Sequence, residues 1–256
     1  MLYSDIKGNG ENIVLLHGWG MHSGLWGEFL NLLSDDFTTH AIDLAGFGYS
    51  KEVDSDYTLE RHTENIEDYI KNLTSPVNVI AWSLGGLVLL NILLRKNIKI
   101  NKVILIATTP CFTKKESWPH AIEGDTFNQF ALDLKQDFKK TLKRFLSLQT
   151  RGSDLSRDDL RELNKKLDKR GLPAYKALEQ GLNILSKADL RKDLVTDIPA
   201  MTLLGEKDTL VPIEVKNEFS KIFKNCTHHI LEKTGHAPFI TQPKFCATQV
   251  KNFLNE

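Results

Sequence analysis

Cysteine is scarce here: three residues in 256, Cys111, Cys226 and Cys246, odd in number and far apart. That excludes a disulfide framework, and no two of them stand in the C-x-x-C spacing of a metal or redox pair. Buried thiols in a reducing compartment are the expectation. Net charge is also missing. Lys+Arg and Asp+Glu both number 33, so nothing global points to nucleic acid or to an acidic surface. No apolar run approaches the ~20 residues of a membrane span. Residues 1–12, M-L-Y-S-D-I-K-G-N-G-E-N, lack the basic-then-apolar pattern of a secretory signal. A soluble cytoplasmic protein is expected. With 41% of residues apolar, the chain can build a sizeable core without cross-links.

What is present is alternation. Short apolar runs at 13–16, 38–44, 77–81 and 102–108 read as buried strands. Helical patterns lie between them at 25–33, 58–73 and 84–96, with apolar residues spaced three or four apart. Strands alternating with helices indicate a parallel sheet covered on both faces. From about Pro110 to Lys187 the strand signal stops and only helical patterns remain. It resumes with A-M-T-L-L-G at 200–205, a helix near 212–223, T-H-H-I-L at 227–231 and a last helix near 242–254. The expected organisation is an α/β core over 1–110 and 188–256, with a helical lid inserted at 111–187. So long an excursion between two strands is not a plain loop.

The stretch V-N-V-I-A-W-S-L-G-G, 77–86, drives an apolar strand into Ser83 and then into a small-residue helix. Strand, tight turn, serine and helix together lift a hydroxyl above the carboxyl edge of a sheet. They also set it at a helix N-terminus, where free N–H groups favour developing negative charge. Gly85 fills the position two after the serine. Ala81 stands two before it, where glycine is usual.

A serine nucleophile needs a base, and the base needs an orienting acid, here in the chain order Ser, acid, His. Asp208, past the strand at 200–205, is the preferred acid, with Glu206 its rival. His236, in the loop after the next strand, is the preferred base, with His228 and His229 its rivals. The two oxyanion donors are expected from the main chain: Leu84 N–H, directly after the nucleophile, and Trp19 N–H in H-G-W-G, 17–20. D-L-A-G-F-G-Y-S, 43–50, lacks both the Walker lysine and the third glycine of a dinucleotide fingerprint, and is read as a turn shaping the same rim.

These segments resemble the α/β-hydrolase superfamily over nearly the whole chain. H-G-W-G, A-W-S-L-G-G-L-V, T-T-P-C-F, E-S-W-P, R-F-L-S-L-Q-T and G-H-A-P-F-I-T-Q-P further resemble the family of pimeloyl-[acyl-carrier protein] methyl ester esterases of biotin synthesis. The resemblance implies an α/β-hydrolase fold with a mostly parallel sheet and a helical lid. It implies a serine carboxylesterase, acting with Ser83, Asp208 and His236, that frees the pimeloyl carboxylate and releases methanol. A general carboxylesterase for small free esters is the alternative. The acyl chain is expected to meet Trp19, Ser83, Leu84, His236 and the run Phe145, Leu146, Ser147, Leu148 and Gln149. No metal or organic cofactor is implied, and a monomer is expected. The partner implied is the carrier protein. Residues 133–170 hold twelve Lys/Arg against seven Asp/Glu, an excess that suits an acidic partner. The resemblance singles out Lys140, Arg144, Arg157 and Arg161 as its contacts. Lys140 stands where arginine is expected and keeps the charge without the bidentate fork.

Overall fold

In the computed structural model the described residues are all but Ser55, Ser75, 151–156 and Asp193; of 157–160 only the backbone is described. The chain opens with β1 (Ser4–Lys7) and β2 (Asn12–Leu16). A single 3-10 turn at Ser23–Trp26 leads into α1 (Gly27–Leu33), followed by β3 (Thr38–Ile42), α2 (Leu59–Lys71), β4 (Val77–Trp82), α3 (Leu84–Arg95) and β5 (Val103–Ile106). Four helices follow before the sheet is rejoined: α4 (Gly124–Gln136), α5 (Phe138–Gln149), α6 (Arg157–Lys169) and α7 (Tyr175–Lys187). The chain then runs through β6 (Ala200–Gly205), α8 (Val215–Ile222), β7 (Cys226–Leu231), the one-turn α9 (Pro238–Thr241) and α10 (Pro243–Asn255).

The sheet order is β1-β3-β2-β4-β5-β6-β7, parallel throughout except for β1, which pairs antiparallel with β3. Every residue of β4, β5 and β6 is buried, as a strand covered on both faces requires. The sequence reading missed β1. S-D-I-K carries two charges in four residues, and the strand sits half-exposed on the sheet edge, where no apolar run is demanded. The helix read at 25–33 is a 3-10 turn followed by α1. The strand read to 108 stops at Ile106, because Ala107 turns to φ 41°.

Ala81 sits in regular strand, in register with Leu16 and Leu105 and fully buried, so its methyl is accommodated by ordinary sheet packing. The catalytic-looking loops all leave the carboxyl ends of parallel strands, the side on which open α/β sheets place their sites.

Candidate active site

Ser83 lies between the last residue of β4 and the first of α3, with φ +54° and ψ −115°. That backbone is strained for a residue with a side chain, at a cost of about 1–3 kcal/mol. The surroundings hold it there. Ser83 N–H donates to Ile106 O at 3.1 Å, and the Thr108 hydroxyl donates to Ser83 O at 2.8 Å. The glycines that follow are forced by close approach. A Cβ on Gly85 would stand 2.5 Å from the Leu16 carbonyl oxygen, and one on Gly86 would stand 2.2 Å from Thr108 Oγ1.

His236 Nε2 is 2.8 Å from Ser83 Oγ, and its Nδ1 is 2.8 Å from Asp208 Oδ2. The other Asp208 oxygen, Oδ1, accepts main-chain N–H bonds from Leu210 at 2.8 Å and Val211 at 3.0 Å. Both carboxylate oxygens are therefore committed, and the imidazole faces one of them. The Asp208 and His236 loops are joined at Gly205, whose missing side chain leaves room for Gly235 O at 2.0 Å from where a Cβ would be. Lys207 N–H also donates to Thr234 O at 2.8 Å. The indole of Trp82, one residue before the serine, donates to His236 O at 2.8 Å and ties the histidine loop back to the elbow strand.

The rivals lie elsewhere. Glu206 accepts from Lys233 N–H and pairs with Lys207, while the imidazole takes Asp208. His228 lies between the Thr202 and Ser220 hydroxyls, and His229 stacks its edge near Phe245.

Leu84 is the first residue of α3, so no carbonyl lies one turn back to accept its N–H. Trp19 is fully buried, its indole N–H donating to Leu178 O at 2.9 Å and its ring edge-on to Phe145 at 4.9 Å. Gly18 brings the chain before it against the nucleophile: a Cβ there would lie 3.2 Å from Ser83 Cβ.

Ser83 opens onto a narrow cleft of about 30 Å³, walled by Phe112, Ile122, Phe127, Phe130, Phe145, Leu182, Leu185 and Leu210, with Thr126 the other polar residue. None of these side chains is charged, so the cleft suits a neutral, apolar acyl chain. Of the expected run 145–149, Phe145 alone lines it with Ser83. At 100° per residue a helix cannot present five consecutive side chains to one wall. Leu146 is buried in the core and Leu148 is half-buried, while Ser147 is exposed, its hydroxyl donating to Lys143 O at 3.0 Å. Gln149 is buried, and its Oε1 has no hydrogen-bond partner among the described residues. The residues missed belong to α4, α7 and the 110–122 segment. Their spacing, 127 and 130 on α4 and 182 and 185 on α7, was visible as an apolar stripe but is equally that of a core face.

Lys140 and Arg144 are exposed on α5, with Arg144 paired to Asp133 at 3.0 Å. They share a groove with Asp133 and Asp137, which offsets their charge locally. Arg161 is exposed on the adjacent α6. Arg157 begins that helix, and its side chain lies outside the described residues.

A second buried network stands behind the Trp19 loop. Asp43 accepts from Ser23 N–H at 2.7 Å and Tyr49 N–H at 2.8 Å, and the Arg170 guanidinium reaches both of its oxygens at 3.0 Å. Arg170 lies over the rings of Tyr3 and Tyr49, at 5.0 and 4.8 Å. Burial works to raise the Asp43 carboxyl, yet the hydrogen bonds from Ser23 and the Tyr49 N–H keep it below the ordinary carboxylate value. Burial takes His17 down to about 4.

A family model described as the alpha/beta hydrolase fold matches residues 11–243. A pimeloyl-[acyl-carrier protein] methyl ester esterase of Xylella fastidiosa (strain M12) is 34% identical over 257 aligned residues, covering 99% of this chain and 98% of that protein. The protein of the same name from Nitrosospira multiformis is 36% identical, covering 98% and 97%. Among solved structures, an esterase of Exiguobacterium antarcticum superposes with a TM-score of 0.90 at 22% identity, covering 100% of this chain and 96% of that one.

Proposed function

We propose, for a chain that belongs to the α/β-hydrolase family and aligns end to end with the pimeloyl-[acyl-carrier protein] methyl ester esterases, that it is a serine carboxylesterase cleaving the methyl ester of pimeloyl-[acyl-carrier protein]. The observation that carries the chemistry is the unbroken relay Asp208–His236–Ser83, with both contacts at 2.8 Å, whose serine lines a cleft walled by uncharged side chains.

In this reading His236 Nε2 takes the Ser83 proton as Oγ attacks the ester carbonyl. The carbonyl oxygen becomes an oxyanion held by the Trp19 and Leu84 N–H groups. As the C–O bond breaks, His236 returns the proton to the leaving methoxide, and methanol departs from an acyl-enzyme. Water, deprotonated by His236, repeats the sequence and frees the carboxylate. Asp208 holds the Nδ1–H tautomer and stabilises the imidazolium. The developing charge at Ser83 faces the N-terminus of α3. The carboxylate product is anionic in a cleft whose described lining carries no cation, which favours its release. No step requires a metal or organic cofactor.

The carrier-protein partner is supported by the names of the relatives and by the excess of Lys/Arg over 133–170, with Lys140, Arg144, Arg157 and Arg161 as its proposed contacts. No helix among the described residues is long and apolar enough to cross a membrane. Turnover of methyl-pimeloyl carrier protein and of a short p-nitrophenyl ester, each at low and high salt, tests the reading. The expected result is carrier-substrate turnover that falls steeply with salt while the small ester is little affected. Turnover of the small ester alone would leave a general esterase.

A further inference from the structure

The geometry points to His17 as the positioning residue that sets the orientation of the Gly18–Trp19 peptide, and with it the Trp19 N–H that receives the oxyanion. This rests on the reading of Trp19 N–H as an oxyanion donor.

His17 touches neither Ser83, Asp208 nor His236 through its ring nitrogens. Its imidazole is buried at the end of β2 and makes two main-chain contacts: Nδ1 to Gly18 O at 2.8 Å and Nε2 to Leu44 N at 3.0 Å. A main-chain amide can only donate and a carbonyl can only accept, so both contacts are satisfied by a single form of the ring, neutral with its proton on Nδ1. Burial favours the same neutral form.

The Gly18 oxygen belongs to the peptide that carries Trp19 N–H. A trans peptide is planar, with C=O and N–H on opposite sides, so fixing the oxygen fixes the direction of the N–H. The His17 proton and the Met21 amide, at 3.2 Å, draw that oxygen to one side. Trp19 N–H is thereby turned to the other and makes no hydrogen bond among the described residues. The Gly18 Cα stands beside the nucleophile, with Ser83 Cβ and the Trp82 ring 3.2 and 3.3 Å from where its Cβ would lie. Flipped by half a turn, the same peptide would present a carbonyl oxygen in place of its N–H. It would then lose one of two oxyanion donors, a change that costs ~10²–10³ in turnover. The ring itself cannot swing away. Leu44 N–H holds its far nitrogen, and Phe47 packs edge-on at 5.5 Å. His17 thus links the loop after β3 to the oxyanion loop after β2.

Two substitutions separate this role from that of a buried core histidine. In His17→Asn the amide nitrogen reaches the position of Nδ1 and restores the donor to Gly18 O, while the acceptor for Leu44 N–H is lost. In His17→Gln the longer side chain serves Leu44 and leaves Gly18 O with the Met21 amide as its one donor, 3.2 Å away. The expected result is a kcat for His17→Gln lower by ~10²-fold with KM nearly unchanged. Its affinity for a trifluoromethyl ketone analogue of the ester should fall in parallel. His17→Asn keeps most of kcat even where its melting temperature is lower. Equal losses of kcat in the two variants, following their losses of stability, or a wild-type kcat in His17→Gln, would overturn the inference. Should neither variant fold, long-range ¹H–¹⁵N NMR of the wild-type protein at neutral pH still decides: an Nδ1–H neutral ring supports the assignment, and an Nε2–H or doubly protonated ring refutes it. Absence of ester turnover in the wild type would instead defeat the esterase reading and leaves the ring measurement standing.

Discussion

Asp208→Asn isolates the role of the acid without disturbing its shape. The side-chain amide has one oxygen and one NH2 group, and the surroundings decide which goes where. The Oδ1 position faces two main-chain donors, Leu210 and Val211, at 2.8 and 3.0 Å. The amide oxygen must take that position, since the opposite placement would set NH2 against two N–H groups and leave both without an acceptor, at about 1–3 kcal/mol each. The NH2 then occupies the Oδ2 position, 2.8 Å from His236 Nδ1. It donates to Nδ1, which has to accept, so the ring proton moves to Nε2 and points at Ser83 Oγ. The base has lost the lone pair that would take the serine proton. An Asp→Asn exchange that imposes this tautomer in a serine triad lowers kcat by ~10⁴. Stability should change by less than about 1 kcal/mol, because volume and the two amide bonds are kept. Steady-state ester hydrolysis with a thermal melt measures both. A kcat within tenfold of wild type would refute the reasoning.

Gly85→Ala pushes a methyl to 2.5 Å from the Leu16 carbonyl; about 1–3 kcal/mol of stability and ~10²-fold in kcat should be lost as the strand end shifts, measured by urea unfolding and ester turnover, and unchanged kcat would contradict the account. Arg170→Met strands the fully buried Asp43 carboxylate and should cost about 3–5 kcal/mol, read by urea unfolding; a loss below about 1 kcal/mol would show the pair to be incidental. Burial takes His62 down to about 4, and its Nε2 has no partner among the described residues. The unfolded chain, near 6.5, binds the proton first, so stability is complete above pH 6.5 and falls as pH drops from there to 4, by about 3 kcal/mol from this group. His62→Phe should flatten that slope in melts between pH 7 and 4, and identical slopes would count against it.

Much of this was legible in the sequence for identifiable reasons. The interior strands β4, β5 and β6 are buried on both faces and so read as largely apolar runs. Ser83 was visible because an elbow needs small residues just where Gly85 and Gly86 stand. The choice between Asp208 and Glu206 was harder: it depends on the Gly205–Gly235 approach, a contact between segments thirty residues apart. β1 escaped because an edge strand needs no apolar face. The cleft wall escaped because an apolar stripe on α4 or α7 has the same spacing whether it faces a core or a substrate. The run 145–149 shows the converse: a contiguous motif in sequence is spread around a helix by its 100° step, leaving Phe145 on the wall and Ser147 in solvent.

The central claim is that Ser83 is the nucleophile, activated by His236. Labelling with a fluorophosphonate, followed by digestion and mass spectrometry, tests it most directly. One adduct per chain on Ser83, with esterase activity lost in proportion, is expected. Activity that survives complete modification of Ser83, or an adduct at another residue that accounts for the inactivation, would contradict it.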